Sequence, residues 1–280
     1  MSKTGKWYAA VDSFYSILAG SNESLNTTVI GTGGFSLFVA GNDNVYFYDD
    51  EHKQVNVLLK NTTSSEPVML VSSFCRALFV DQNNTLYCSV TSMHVVVAKS
   101  LNEPVNMLVV VAGTGCAGSA LDQLYYPGGM FVRSNFDLYV ADINNNRIQR
   151  FSAGQMTAST LAGDGAAGTI NLNQPMDVVL DGDDNMFIVD TNNHRIVRSG
   201  PNGYQCVAGC TNTSGPASNQ LTRPQSMSFD SDGNIWVGDS GNGRIQKFAL
   251  NNVSSGTWIS FLRIIEKCDR EKEELKRSQR

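Results

Sequence analysis

The chain has 280 residues, of which 41% are hydrophobic and 17% charged, a composition that excludes a disordered polymer and predicts a globular protein. Its longest apolar run, Met107 to Ala112, is far shorter than the roughly 20 residues of a membrane-spanning helix, so we expect no membrane span. Asp12, Ser13 and Ser16 interrupt the apolar stretch near the start, and we expect no signal peptide. The net charge is −5, or −6 without residues 266–280, and therefore we expect no nucleic-acid partner.

Two related segments occupy the N-terminal part of the chain. LFVAGNDNVYFYDDEHKQVN begins at Leu37, and LFVDQNNTLYCSVTSMHVVV begins at Leu78. They align through Phe38 with Phe79 and through the tyrosine eight residues further on. Both are weak copies of a stronger repeat downstream.

Three strong copies follow, LYVADINNNRIQRF from Leu138, MFIVDTNNHRIVRS from Met186 and IWVGDSGNGRIQKF from Ile235. Each holds D-x-x-N-x-R-I after an apolar run, and the aspartates are 48 and 49 residues apart. An aspartate or asparagine caps such a turn, and the arginine is expected to pair with a carboxylate between repeats. We assign this structural role to Asp142, Arg147, Asp190, Arg195, Asp239 and Arg244.

Each copy is typical of four short strands. A proline and an apolar run, a turn of Asp, Gly and Asn, and a second apolar run predict a hairpin, as in Pro175–Leu180 with the turn at Asp181. The segment after the D-x-x-N-x-R turn alternates polar and apolar residues, as an exposed third strand does. Four strands in 40 to 50 residues indicate a propeller blade, and the fold class is all-β.

The D-x-x-N-x-R-I motif in register after an apolar strand resembles the NHL-repeat family of β-propellers. Members usually have six blades, whereas five units can be counted here, so the alternatives are a five-bladed ring with terminal closure, a six-bladed ring, or a fragment of one. Residues 17–20 resemble an outer strand whose own blade is missing or which closes the ring. We divide the chain into an N-terminal segment (1–16), the propeller (17–262) and a charged C-terminal tail (263–280).

The turns and loops at one end of the blades form the candidate binding face, because function in such scaffolds resides in loops. The turns between the second and third strands share this face with the connections from one blade to the next. The candidate ligand-binding residues are Tyr125, Tyr126, Asn144, Asn146, Asn192, His194, Arg223 and Asn242.

No metal, cofactor or catalytic residue is predicted. The peptide-amidating lyases are similar in fold to NHL propellers. They have histidines after the proline of the innermost strand, where this chain has Gly128, Met176 and Gln225. A lactonase would need several inner-strand carboxylates around calcium, and Asp177 is the one that we find. The three histidines of the chain fall in turns on different blades.

The cysteines leave the redox state open. Cys206 and Cys210 flank a turn and can form a local disulfide, Cys75 and Cys88 lie on adjacent strands, and free thiols are the alternative. Six N-x-S/T sequons permit glycosylation without arguing for it, since chance alone supplies about four. These features favour an extracellular location slightly over a cytoplasmic one.

The sequence as a whole favours a non-catalytic propeller whose loop-built face binds a protein, a peptide or a glycan. The alternative is a metal-dependent enzyme with a degenerate or unrecognised site, of the amidating-lyase or lactonase kind. RNA binding ranks third, because the body is acidic. The oligomeric state and the partner's identity are not determined by the sequence.

Overall fold

The computed structural model describes most of the chain as antiparallel β-sheets. The described residues are 7–11, 16–21, 24–27, 36–62, 64–211 and 213–249. Five of the sheets are meanders in which successive strands pair in order, which is the arrangement of a propeller blade. The predicted all-β propeller with five blades is confirmed. The predicted charged tail, 263–280, lies outside the described residues.

We number the strands in chain order and call the strands of each blade a to d. The first sheet comprises β1 (Trp7–Val11), β2 (Ser16–Ser21) and β3 (Ser24–Thr27). Blade 1 comprises β4 (Leu37–Val39), β5 (Val45–Asp49), β6 (Gln54–Leu58) and β7 (Ser65–Leu70). Blade 2 comprises β8 (Cys75–Val80), β9 (Thr85–Val90), β10 (Val95–Ser100) and β11 (Val109–Ala112). Blade 3 comprises β12 (Pro127–Val132), β13 (Leu138–Asp142), β14 (Arg147–Phe151) and β15 (Ala158–Gly163). Blade 4 comprises β16 (Pro175–Leu180), β17 (Met186–Asp190), β18 (Arg195–Gly200) and β19 (Gly203–Ala208). Blade 5 comprises β20 (Ser226–Phe229), β21 (Ile235–Asp239) and β22 (Arg244–Phe248).

The helices of the described residues are short 3₁₀ turns that join strands b and c in blades 2 to 5. These turns are Thr91–Met93, Ile143–Asn145, Thr191–Asn193 and Ser240–Asn242. None of the described helices is long and apolar enough to cross a membrane.

The sheet β1–β3 corrects one expectation. One alternative for residues 17–20 is an outer strand whose own blade is missing, but β2 is the middle strand of its sheet and pairs with both β1 and β3. That alternative is wrong because residues 7–11, which carry no blade motif, also form a strand and supply the missing partner. β1 lies against β4, the first strand of blade 1.

The core lies between the blades. Strands β13 and β17 are buried along their whole length, as their uninterrupted apolar runs predict. The ring of Phe79 lies 4.9 Å from that of Phe38 in blade 1 and 5.2 Å from that of Phe131 in blade 3. Apolar clusters join each pair of successive blades from blade 1 to blade 5, so that blades 2 to 4 bury both of their faces. This stacking holds the inner strands side by side around the propeller axis.

The D-x-x-N-x-R residues close the turn between strands b and c. In blade 3 the fully buried Asp142 accepts hydrogen bonds from the Tyr125 N–H at 2.7 Å and from Asn145 Nδ2 and Arg147 Nε at 2.8 Å each. Arg147 also donates to the carbonyl oxygens of Ser119, Ala120 and Gln123. The arginine therefore pairs with the aspartate of its own blade, and not with a carboxylate between blades as expected, because its guanidinium is used to fix the connection that leads into the same blade.

Both candidate disulfides are present. Cys206–Cys210 closes the end of β19, and Cys75–Cys88 joins strands a and b of blade 2. Blade 2 has apolar residues at the three defining positions of D-x-x-N-x-R, namely Val90, Met93 and Val95. Cys75 pairs with Val90 as Pro127 pairs with Asp142, so that the disulfide fixes the start of the inner strand where the polar turn is missing.

Candidate functional site

The b–c turns and the d–a connections lie together, and we call the surface that they form the loop face. In blade 3 the Asn144 N–H in the turn donates to the carbonyl oxygen of Tyr125 in the connection at 3.1 Å. In blade 4 the Asn192 N–H donates to the carbonyl oxygen of Asn173 at 3.1 Å. These backbone bonds make each turn and its neighbouring connection one rigid unit.

A repeated contact joins each of these units to the previous blade. The residue after each 3₁₀ turn has a left-handed backbone, and in blades 2 to 4 its side chain accepts an N–H from the residue before the proline that leads into the next inner strand. His94 Nδ1 accepts from Tyr126 at 3.2 Å, Asn146 Oδ1 from Gln174 at 2.9 Å, and His194 Nδ1 from Arg223 at 3.1 Å.

The interblade contact involves two predicted binding residues, Asn146 and His194, and it places both at the seams between blades. The sequence does not reveal that these side chains join neighbouring blades, because each donor lies about thirty residues from its acceptor, in the next blade. Asparagine and histidine are among the residues that tolerate a positive φ and can also accept a hydrogen bond, which suits them to this position in blades 2 to 4.

The aromatic cluster around His94 is the main apolar feature of the loop face. The rings of Tyr125 and Tyr126 lie 5.6 and 6.0 Å from the His94 ring. The two tyrosines remain 41% and 43% exposed, and the exposed Met93 precedes the histidine. The backbone N–H groups of both tyrosines are bound, to Asp142 and His94, so that the two rings project from a fixed backbone.

The remaining predicted residues form smaller groups. Asn192 Nδ2 donates to Gln174 Oε1 at 2.8 Å and thereby joins Asn146 in one polar network across blades 3 and 4. The exposed Arg223 lies beside His194. Asn242 is turned inward, with Nδ2 donating to the Gly215 carbonyl and to Asp239 Oδ2, as Asn145 does in blade 3.

The sequence analysis did not identify Arg76, which lies on the inner strand of blade 2. Aligning Phe79 with Phe131 would have placed Arg76 at the position of Gly128, directly after the start of the inner strand. Its guanidinium reaches across blade 3 to Met176 of blade 4, where Nη2 lies 2.9 Å from the thioether sulfur. Burial lowers the pKa of Arg76, while the nearby Asp177 and Tyr126 raise it.

Asp177 is the inner-strand carboxylate that the sequence analysis noted. Its oxygens accept the N–H groups of Val178 at 2.9 Å and Met227 at 3.1 Å, the second of which belongs to blade 5. A Cβ on Gly129 would lie 2.0 Å from Asp177 Oδ1, so the carboxylate needs a glycine beside it. Burial raises the pKa of Asp177 to about 7, although the two N–H groups and Arg76 lower it.

Among the described residues, no group of three or more His, Cys, Asp or Glu side chains is placed to hold a metal ion. The channel positions that the sequence analysis compared with those of the lyases are Gly128, Met176 and Gln225. Arg76 occupies the fourth equivalent position.

Comparison with known proteins agrees with the blade geometry. The NHL-repeat model matches residues 221–248, which include all of blade 5 and its D-x-x-N-x-R turn. The chain is a β-propeller whose fifth blade matches the NHL repeat. No curated protein matches it in sequence.

Solved structures similar to this propeller share its fold at low sequence identity. A protein of unknown function from Bacteroides thetaiotaomicron VPI-5482 is 18% identical with a TM-score of 0.67, over 88% of this chain and 69% of that one. A chain of the nidogen/laminin complex is 15% identical with a TM-score of 0.65, over 87% of this chain and 88% of that one. Virginiamycin B lyase from Staphylococcus aureus, an inactive variant with quinupristin, is 13% identical with a TM-score of 0.56, over 87% of this chain and 88% of that one.

Proposed function

We propose that this NHL propeller is a non-catalytic binding module whose loop face binds a protein or peptide segment. The observation that carries the proposal is the exposed cluster of Met93, Tyr125 and Tyr126 around His94. Tyrosine and methionine are enriched in protein interfaces, where a few aromatic side chains supply most of the binding energy.

The backbone around the cluster supports this proposal. Tyr125 and Tyr126 are held through bonds to two different blades, so their rings lose little conformational freedom when a partner binds. The similar chain in the nidogen/laminin complex is consistent with protein binding by a propeller of this shape, although the likeness itself concerns the fold.

The test is selection from a random-peptide phage library on the full chain, followed by affinity measurement with variants. The double variant Tyr125→Ser and Tyr126→Asn removes both rings, and the asparagine tolerates the positive φ of position 126. The matched control is Met156→Ser, which removes a side chain of equal exposure, 41%, from the c–d connection of blade 3, at the other end of the blade.

We expect the selected peptides to bind the double variant at least about tenfold more weakly than the wild type, and the control equally well. Peptides that bind all three proteins alike would refute the proposal. Selection of no peptide, together with specific binding on a glycan array or to RNA at physiological salt, would assign the face to another class of ligand.

The fold likeness to the lyases is the observation that favours an enzyme as the second candidate. Elemental analysis of protein purified without chelators separates the two. Stoichiometric zinc or calcium would favour the metal-dependent enzyme and overturn the binding module.

A further inference from the structure

Arg76 differs from the arginines of the D-x-x-N-x-R turns in how few acceptors its guanidinium has among the described residues. Arg147 donates to four acceptor oxygens, and Arg244 does the same at the equivalent position of blade 5. Arg76 has one hydrogen bond among the described residues, to the sulfur of Met176, which is a weak acceptor. A guanidinium that is largely removed from water normally has carboxylate or carbonyl partners, so this one has unused donors.

The carboxylate nearest to Arg76 in the channel is already engaged. Asp177 interacts electrostatically with Arg76, but its oxygens accept the N–H groups of Val178 and Met227. In the part of the chain that the structure describes, no carboxylate oxygen lies within 4.0 Å of the Arg76 guanidinium. Asp177 therefore offsets part of the positive charge of Arg76, but it does not accept a hydrogen bond from the Arg76 guanidinium.

The position of Arg76 is well fixed. It directly follows Cys75, whose disulfide to Cys88 ties the start of the inner strand to strand b. Its guanidinium is held at the far end as well, by the contact of Nη2 with the sulfur of Met176 in blade 4. A side chain whose backbone is fixed loses little conformational freedom when it binds an anion.

Arg76 also belongs to the same end of the channel as the aromatic cluster. Tyr126 is close enough to affect the Arg76 guanidinium electrostatically, and its backbone forms part of the loop face. A chain segment that packs on Tyr125 and Tyr126 can thus extend a side chain into the mouth of the channel.

We propose that Arg76 binds a carboxylate, namely an Asp or Glu side chain of the peptide segment that the loop face holds. This inference rests on the proposed function and adds the chemistry of the partner: an acidic residue next to an apolar or aromatic one. The pairing is a charge-assisted hydrogen bond, in which a guanidinium and a carboxylate match in geometry as well as in charge.

The first experiment tests Arg76 without any peptide. The Nε–H resonance of Arg76, assigned with an Arg76→Gln variant, is followed in the full chain during titration with sodium phenylacetate and, separately, with neutral phenylacetamide at constant ionic strength. We expect a saturable shift with the carboxylate and none with the amide. Equal shifts with both compounds, or no saturable shift, would overturn the inference.

The second experiment uses the peptides selected on the loop face. We expect them to be enriched in Asp or Glu, and we expect both Arg76→Gln in the protein and Glu→Gln in the peptide to weaken binding about tenfold or more. Arg76→Gln introduces the residue type that blade 5 carries at this position, Gln225. The matched control is Lys53→Asn, which removes an exposed charge from the b–c turn of blade 1 and copies Asn146, its counterpart in blade 3 with a similar positive φ.

The outcomes separate the two proposals. Peptides that depend on the tyrosines but neither favour acidic residues nor respond to Arg76→Gln would overturn the role of Arg76 and leave the binding module standing. A phenylacetate shift without any selected peptide would support the carboxylate site and refute the peptide-binding face. An equal loss of affinity with Lys53→Asn would show that the effect reflects the overall charge of the loop face, and it would overturn the inference.

Discussion

Replacement of Asp142 by alanine tests the strongest structural claim, that one buried carboxylate holds the b–c turn and the d–a connection of a blade together. The variant removes three hydrogen bonds, from the Tyr125 N–H, Asn145 and Arg147. It also leaves the buried guanidinium of Arg147 with a positive charge and only carbonyl partners. Breaking a buried ion pair by removing one partner costs about 3–5 kcal/mol, and we expect a loss of free energy of unfolding in that range.

The repeat itself offers a matched control in blade 1. Asp49 occupies the same position, with its side chain 15% exposed, but its partners are His52, Asn56 and the Glu51 N–H instead of an arginine. We expect Asp49→Ala to cost less than Asp142→Ala, since it leaves no buried guanidinium without its carboxylate.

Urea unfolding of both variants, followed by tryptophan fluorescence and by circular dichroism, measures the difference. If Asp142→Ala lowered the free energy of unfolding by no more than Asp49→Ala, the buried aspartate–arginine pair would not be what stabilises the turn of blade 3. That result would refute the reasoning. A loss confined to one of the two probes would show that blade 3 unfolds locally, and the comparison would then be made by hydrogen exchange.

The other predictions concern the channel and the seams between blades. Because the pKa of Asp177 is raised to about 7, its contribution to stability is complete below about pH 4 and is lost as the pH rises through 7. The free energy of unfolding, measured with urea, should fall by up to about 4 kcal/mol over that pH range, and Asp177→Asn should remove this dependence on pH. The same dependence on pH in both proteins would contradict this. His94→Asn keeps an acceptor at a left-handed position and should change the free energy of unfolding by less than about 0.5 kcal/mol. His94→Ala removes the acceptor and should cost about 1–2 kcal/mol in thermal unfolding. Equal losses for the two variants would argue against the interblade hydrogen bond. Gly128→Ala would place a Cβ 2.7 Å from the carbonyl oxygen of Met176 and should cost about 1–3 kcal/mol by urea unfolding, while Gly182→Ala, with open space around it, is the control that should be nearly neutral.

The blades could be predicted because their signals are local and repeated. The apolar run before Asp142 and the polar turn after it lie within ten residues, and the same pattern recurs at Asp190 and Asp239. A single turn of this kind would be weak evidence, but three in register define a period, and a period defines the repeat unit. The sheet β1–β3 lies outside the period, and for that reason it was not predicted.

The site was less predictable, because its contacts join different blades. The pairing of His94 with Tyr126 spans 32 residues, and the contact of Arg76 with Met176 spans 100. Blade 2 has lost the polar motif, so the alignment that would place Arg76 beside Gly128 depends on two aromatic positions alone. No local pattern marks such a residue as part of a channel.

The sequence by itself determined the all-β class, the repeat, the blades and the residues that close their turns, because each of these depends on side chains close together in the chain. Only the tertiary structure decided that Arg147 pairs within its own blade, that His94 and His194 hold neighbouring blades, and that Arg76 and Asp177 face one channel. Those relations depend on how far each blade is rotated and how closely the inner strands approach. Packing of whole sheets sets both quantities, and a pattern of residues within one repeat does not contain them.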